Sequence, residues 1–81
     1  MDIIADLKAF LQKKLEVDLS AVSEDTPLFD EGIIDSMGSL LLLSHVEKTY
    51  GISFAPRELV ENPFDSMNEM AALIAAKREA R

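Results

Sequence analysis

The chain has 81 residues, with 15 Asp and Glu against 8 Lys and Arg, a formal charge of -7, no Cys and a single His. A chain this short makes one small domain, residues 1–81 with a core over about 2–77, which buries roughly 60–65% of its unfolded surface and has no room for a deep enzyme cleft. The lack of Cys excludes disulfides, thiolate nucleophiles and Cys-based metal sites, and the acidic balance opposes direct contact with nucleic acid or with anionic membranes.

The first segment reads as a helix. Ile4, Leu7, Leu11 and Leu15 recur at steps of three and four residues, and Ile3 and Phe10 widen the stripe. Asp2 stands before the periodic run as its N-cap, and Lys13 and Lys14 suit the negative end of the helix dipole. Asp2, Asp6 and Lys8 interrupt any secretory signal, and the longest apolar run, Met70 to Ala76, is far short of the roughly 20 residues that span a bilayer. No direct membrane insertion is expected, and the expected location is cytoplasmic.

Asp18 to Ile34 is a long connection. Ser20, Ser23, Asp25, Thr26, Pro27 and Gly32 oppose regular structure, while Leu28, Phe29, Ile33 and Ile34 are apolar enough to pin the loop onto the helices. From Leu15 to Ser36 there are seven acids and no Lys or Arg, whereas the rest of the chain holds eight of each sign. The net charge therefore lies in this one stretch. It does not make a calcium loop: counted from Asp25, the third and fifth positions are Pro27 and Phe29, and the sixth, which must be Gly, is Asp30.

A second helix is expected from about Ser36 to Tyr50, stopped by Gly51. Ser39, Leu42, Leu43, Val46 and Tyr50 share one face. Met37, Leu41, Ser44 and Lys48 share the opposite one, with Leu40 and Glu47 on its flank. No single stripe buries all of Leu40 to Leu43, so one or two should stay exposed; packing of Leu40 or Leu41 under the loop is the equal alternative. His45 follows Ser36 by nine residues on the same helix, about 13 Å at 1.5 Å per residue, so it cannot act as a base for that serine. It is expected to be a solvated helix residue.

Ile52-Ser53-Phe54 reads as a short extended piece. Pro56 suits the first turn of a short helix covering Arg57 to Val60, which Asn62 and Pro63 end. The last helix is expected near Ser66, where Ser66-Met67-Asn68-Glu69 fits a capping box, with Met67, Met70, Leu73 and Ile74 as its apolar face and a fraying tail from Lys77 to Arg81. The fold class is all-α: a small four-helix bundle of three main helices and one short one, with a long loop between helices 1 and 2.

The tripeptide Asp-Ser-Met occurs twice, at Asp35-Ser36-Met37 and at Asp65-Ser66-Met67. Both lie at helix starts, where Asp and Ser are ordinary capping residues. Context separates them. Ser66 has Glu69 three residues on and therefore a structural task, whereas Ser36 has no such partner and follows the apolar loop Leu28 to Ile34. Taken alone, the residues leave open an unmodified acidic helical protein-interaction module in which both serines only cap. A catalytic site is not expected, because no nucleophile has a base near it, and neither is a metal site.

The segment Leu28-Phe29-Asp30-Glu31-Gly32-Ile33-Ile34-Asp35-Ser36-Met37-Gly38 resembles the attachment motif of acyl and peptidyl carrier proteins. The Tyr50-Gly51-Ile52 step, the Ile-Ser-Phe piece and Phe64-Asp65-Ser66-Met67 match that family in order and spacing, so the resemblance covers nearly the whole chain. It implies 4′-phosphopantetheine, taken from coenzyme A and joined to Ser36 by a phosphodiester, with Asp35 recognised during the modification. A separate phosphopantetheinyl transferase using magnesium would catalyse that step, leaving this protein a non-catalytic monomeric carrier with its cargo held as a thioester. The string Gly-Ile-Ile-Asp-Ser-Met-Gly looks closest to free-standing D-alanyl carriers and related discrete aminoacyl or acyl carriers, which are loaded by an adenylate-forming ligase. The runner-up is a fatty acid or polyketide synthase acyl carrier, loaded by an acyltransferase. Fatty acid carriers usually show acids along the second helix, and here that face is Met37, Leu40, Leu41, Ser44 and Lys48. With Asp35, these residues are the expected partner-recognition surface, for the transferase, the loading enzyme and a downstream acceptor enzyme. The cargo is left open.

Overall fold

The computed structural model describes residues 2–79. Among them are four α-helices and a single turn of 3-10 helix, with no strand: α1 Ile3–Lys14, the turn Leu19–Ala21, α2 Ser36–Tyr50, α3 Pro56–Glu61 and α4 Met67–Glu79. The all-helical bundle expected from the periodicity is what forms. The expected fraying of Ala80 and Arg81 concerns residues outside the described range.

Local signals set the helix ends. The Asp2 carboxylate accepts the Ala5 N–H and starts α1. Gly51 ends α2 with φ 65°, a left-handed conformation that glycine adopts without a Cβ clash. Pro56 opens α3, and its first turn is closed by the Glu58 carboxylate accepting the Ala55 N–H at 3.0 Å. The Ser66 hydroxyl accepts the Glu69 N–H and the Glu69 carboxylate accepts the Ser66 N–H, each at 3.1 Å, which is the reciprocal box expected at α4.

One core joins these elements. Leu7 and Leu11 from α1, Leu42, Val46 and Tyr50 from α2, and Met67, Met70 and Ile74 from α4 are buried together, and Leu28, Ile34, Ile52 and Phe54 close the cluster from the connections. Each fully buried side chain of this size contributes roughly 1.5–3 kcal/mol. Lys77 departs from the expected frayed tail. Its ammonium reaches both carboxylate oxygens of Glu58 at 2.9 and 2.8 Å and lies over the Phe54 ring, tying α4 to α3.

His45 also departs from expectation. Its ring stacks on Phe10 at 4.4 Å, and its Nε2–H donates to the Asp6 carboxylate at 3.0 Å. The Tyr50 hydroxyl donates to the same Asp6 oxygen at 3.1 Å. His45 therefore links α1 to α2 instead of standing in solvent. Burial pushes the Tyr50 hydroxyl up to about 12, and its bond to Asp6 and that residue's negative charge add to the shift.

Candidate functional site

The site grows out of the loop before α2. Leu28 is fully buried, and its carbonyl accepts the Ile33 and Ile34 N–H groups at 2.8 and 3.1 Å. Gly32 makes the intervening turn at φ 73°. This compact turn delivers Asp35 to the start of α2. Loop packing differs from expectation at one residue. Leu28 and Ile34 are buried and Ile33 half-buried, but Phe29 is 53% exposed. Its neighbour Leu28 takes the core position and leaves Phe29 at the surface.

The two Asp-Ser-Met tripeptides have different cap registers. In the second, Ser66 is the cap: it is 4% exposed and its hydroxyl is used. In the first, Asp35 is the cap, its carboxylate accepting the Gly38 N–H at 2.7 Å. Ser36 is thereby moved to the first helical position. It is exposed, and among the described residues its hydroxyl has no hydrogen-bond partner. The reading of both serines as caps therefore holds at Ser66 and fails at Ser36.

The first four N–H groups of a helix have no partner within it. Here the Asp35 side chain takes Gly38's, and the regular helical bonds begin with the Ser39 N–H, which donates to the Asp35 carbonyl at 2.9 Å. The Ser36 and Met37 N–H groups, beside the free hydroxyl, have no acceptor among the described residues. A phosphodiester on that hydroxyl would meet two unpaired donors and the positive end of a 15-residue helix, an arrangement worth roughly 0.3–1 kcal/mol when exposed.

Two hollows flank Ser36. The larger, about 550 Å³, holds Ser36 in its wall and is otherwise mainly apolar, with Phe29, Ile34, Leu40, Leu43, Leu59 and Phe64 among its lining residues. The smaller, about 420 Å³, lies on the other side between the end of α1 and the start of α2, and includes Lys14, Leu15, Met37 and Leu41. Gly38 lines the smaller hollow and not the larger. A Cβ there would come within 3.3 Å of the Asp35 carboxylate, so glycine leaves room for the cap.

All the residues expected to meet partners lie on the surface. Met37 is 62%, Leu40 61% and Leu41 48% exposed, and Asp35, Ser44 and Lys48 are exposed as well. Leu40 stands over the larger hollow with Phe29, while Met37 and Leu41 rim the smaller one. Neither leucine packs under the loop. Sequence reasoning missed Phe29 as a surface group, and it missed Leu59 and Phe64 as the far wall of the groove. It also missed Asp65, whose carboxylate reaches back to the loop. The repeated Asp-Ser-Met was the available signal for Asp65, but it drew attention to the serine.

Residues 5–74 match the phosphopantetheine attachment site family. The chain belongs to that family. Its members are carriers, and the family cofactor is covalently attached 4′-phosphopantetheine. Relatives agree. The chain is 33% identical over 75 residues, 93% of its own length and 92% of the relative's, to D-alanyl carrier protein 2 of Lactiplantibacillus plantarum. It is 34% identical over 55 residues, 68% of its length and 70% of the relative's, to the D-alanyl carrier protein of Lactococcus lactis subsp. lactis. No solved structure matches this carrier significantly. Among the described residues no helix is long and apolar enough to cross a membrane, and no cluster of side chains is suited to hold a metal.

Proposed function

We propose that Ser36 carries the 4′-phosphopantetheine arm and that residues 1–81 act as one discrete aminoacyl carrier domain. The observation that carries this reading is the difference between the two serines: Ser66 is buried and bonded, while Ser36 is exposed with its hydroxyl unbonded. In the attachment step the Ser36 oxygen bonds to the pantetheine-side phosphorus of coenzyme A. The pyrophosphate bond breaks, adenosine 3′,5′-bisphosphate leaves, and the hydroxyl proton passes to a separate transferase. When bound, the arm supplies a terminal thiol that holds cargo as a thioester. Asp35 fixes the helix start so that the hydroxyl faces outward, and the transferase reads it together with the exposed face of Met37, Leu40, Leu41, Ser44 and Lys48. Loading then falls to an adenylate-forming ligase or acyltransferase, and unloading to a downstream acceptor. The carrier works as a cytoplasmic monomer.

Aminoacyl cargo, with D-alanine as the first candidate, is supported by the names of the relatives and by a recognition face on which Lys48 is exposed and no acid from α2 is. A second reading, an acyl carrier of fatty acid or polyketide synthesis, is favoured by the apolar groove beside Ser36, whose walls suit a hydrocarbon chain. The test is competitive loading of the modified protein. Amino acids with their ligases should load it well ahead of a fatty acyltransferase, and the reverse preference would overturn the aminoacyl reading.

A further inference from the structure

Asp65 lies 36 residues after Phe29 in the chain, but its carboxylate accepts two consecutive loop amides, Phe29 N–H at 2.7 Å and Asp30 N–H at 3.1 Å. Its carbonyl accepts a third, Leu28 N–H, at 3.0 Å. Asp65 is itself held, because its N–H donates to the Glu69 carboxylate at 2.9 Å within the α4 capping box. Asp65 is also among the residues that line the groove containing Ser36. The capping box therefore leaves the Asp65 carboxylate free for the loop, and Asp65 is the residue through which α4 grips the segment leading to Ser36. Glu24 and Asp25 add a second tie further back. The Glu24 carbonyl accepts the Asn68 N–H at 3.0 Å, and the Asp25 carboxylate accepts the Asn68 side-chain amide at 2.7 Å.

We infer that Asp65 is a positioning residue for modification at Ser36. By holding the Phe29 and Asp30 amides, it keeps the loop and its exposed Phe29, Asp30 and Glu31 side chains in the one arrangement that a transferase docks against. This rests on Ser36 being the attachment site. The clamp bonds to the loop amides and not to Ser36 itself, so it acts on docking. Without it the loop samples several arrangements, and if about a tenth of molecules remain competent, the apparent KM for the carrier rises about tenfold with kcat unchanged.

The experiment compares Asp65→Ala, Asp65→Asn and Ser66→Ala as apo proteins, all assayed below their melting temperatures. Each is given coenzyme A, magnesium and a broad-specificity phosphopantetheinyl transferase, and amide hydrogen exchange at Phe29 and Asp30 is followed in the free proteins. Asp65→Ala should lose protection at both amides and show the raised KM. Asp65→Asn, which keeps one acceptor oxygen, should recover part of both. Ser66→Ala, which weakens the α4 cap but leaves the carboxylate, should melt earlier with wild-type KM. The inference is overturned if Asp65→Ala loses protection but keeps the wild-type KM, or if Ser66→Ala raises KM as much. An unmodified wild-type protein would instead refute the Ser36 assignment, so the two failures are distinguishable.

Discussion

The Asp35 carboxylate accepts the Gly38 N–H at 2.7 Å, and because it does, the serine between them is not the cap. One residue of register decides what each Asp-Ser-Met can do. With Asp as the cap the serine hydroxyl is free on the surface, and with Ser as the cap it is buried in the helix start.

Asp35 thus combines a structural bond with a charge displayed beside Ser36. Asp35→Ala should lower stability by about 0.5–2 kcal/mol, the usual cost of a lost N-cap. Asp35→Asn retains a capping oxygen and should melt near the wild type, yet be modified more slowly because the charge is gone. Melting curves and modification rates separate the two effects. A wild-type rate for Asp35→Asn would show that the charge is not read.

Leu41 is half exposed at the rim of the hollow between α1 and α2. Leu41→Glu should change stability by no more than about 0.5 kcal/mol, as surface substitutions do. Modification and loading by partner enzymes should fall clearly, because a charge is placed in an apolar contact face. A large loss of melting temperature would show that Leu41 is a core residue.

Glu16 follows α1 at φ 57°, a left-handed conformation that costs a residue with a Cβ roughly 1–2 kcal/mol. Glycine escapes that strain but gives up some chain entropy on folding. Glu16→Gly should therefore stabilise the protein by about 0.5–1 kcal/mol, raising the melting temperature by roughly 2–8 °C. A lower melting temperature would mean that the Glu16 side chain contributes more than its backbone costs.

The Tyr50 hydroxyl, raised from 10.0 to about 12, gives a pH signature. Its neutral form is favoured in the folded state, so its contribution is fully present below pH 10 and is lost as pH rises through about 12. Denaturant melts across that range should show wild-type stability falling more steeply than that of Tyr50→Phe, which has no proton to lose. Parallel curves would contradict the raised Tyr50 hydroxyl.

The sequence was most legible where the signals are local. The α1 stripe ending in the fully buried Leu7 and Leu11, the Asp2 cap, Gly51 after α2, Pro56 before α3 and the Ser66–Glu69 box each depend on residues within a turn or two of one another. What escaped was carried by distant pairs. His45 finds Asp6 across 39 residues and Phe29 finds Asp65 across 36, and no periodicity encodes such meetings. Phe29 was misplaced because composition cannot say which of two adjacent apolar residues a tight turn points inward. The groove was invisible for a similar reason: its walls come from the loop, α2, α3 and the Phe64 segment. The charge of -7 was legible as a stretch, but not its use. Glu24 pairs with Lys8, Asp25 binds the Asn68 side-chain amide, and Asp18 and Asp35 are spent on caps. That leaves Glu16, Asp30 and Glu31 exposed and without an ion pair among the described residues, with Asp30 and Glu31 on the clamped loop. The acidity open to a partner thus lies partly on the loop before Ser36, and the apolar contact on α2.

The central claim is that Ser36, and not Ser66, receives the arm. The most direct measurement is the intact mass of wild type, Ser36→Ala and Ser66→Ala after incubation with coenzyme A, magnesium and a broad-specificity transferase. The account predicts one 4′-phosphopantetheine on wild type and on Ser66→Ala, and none on Ser36→Ala. An adduct that survives Ser36→Ala, or one abolished by Ser66→Ala in a folded protein, would contradict it.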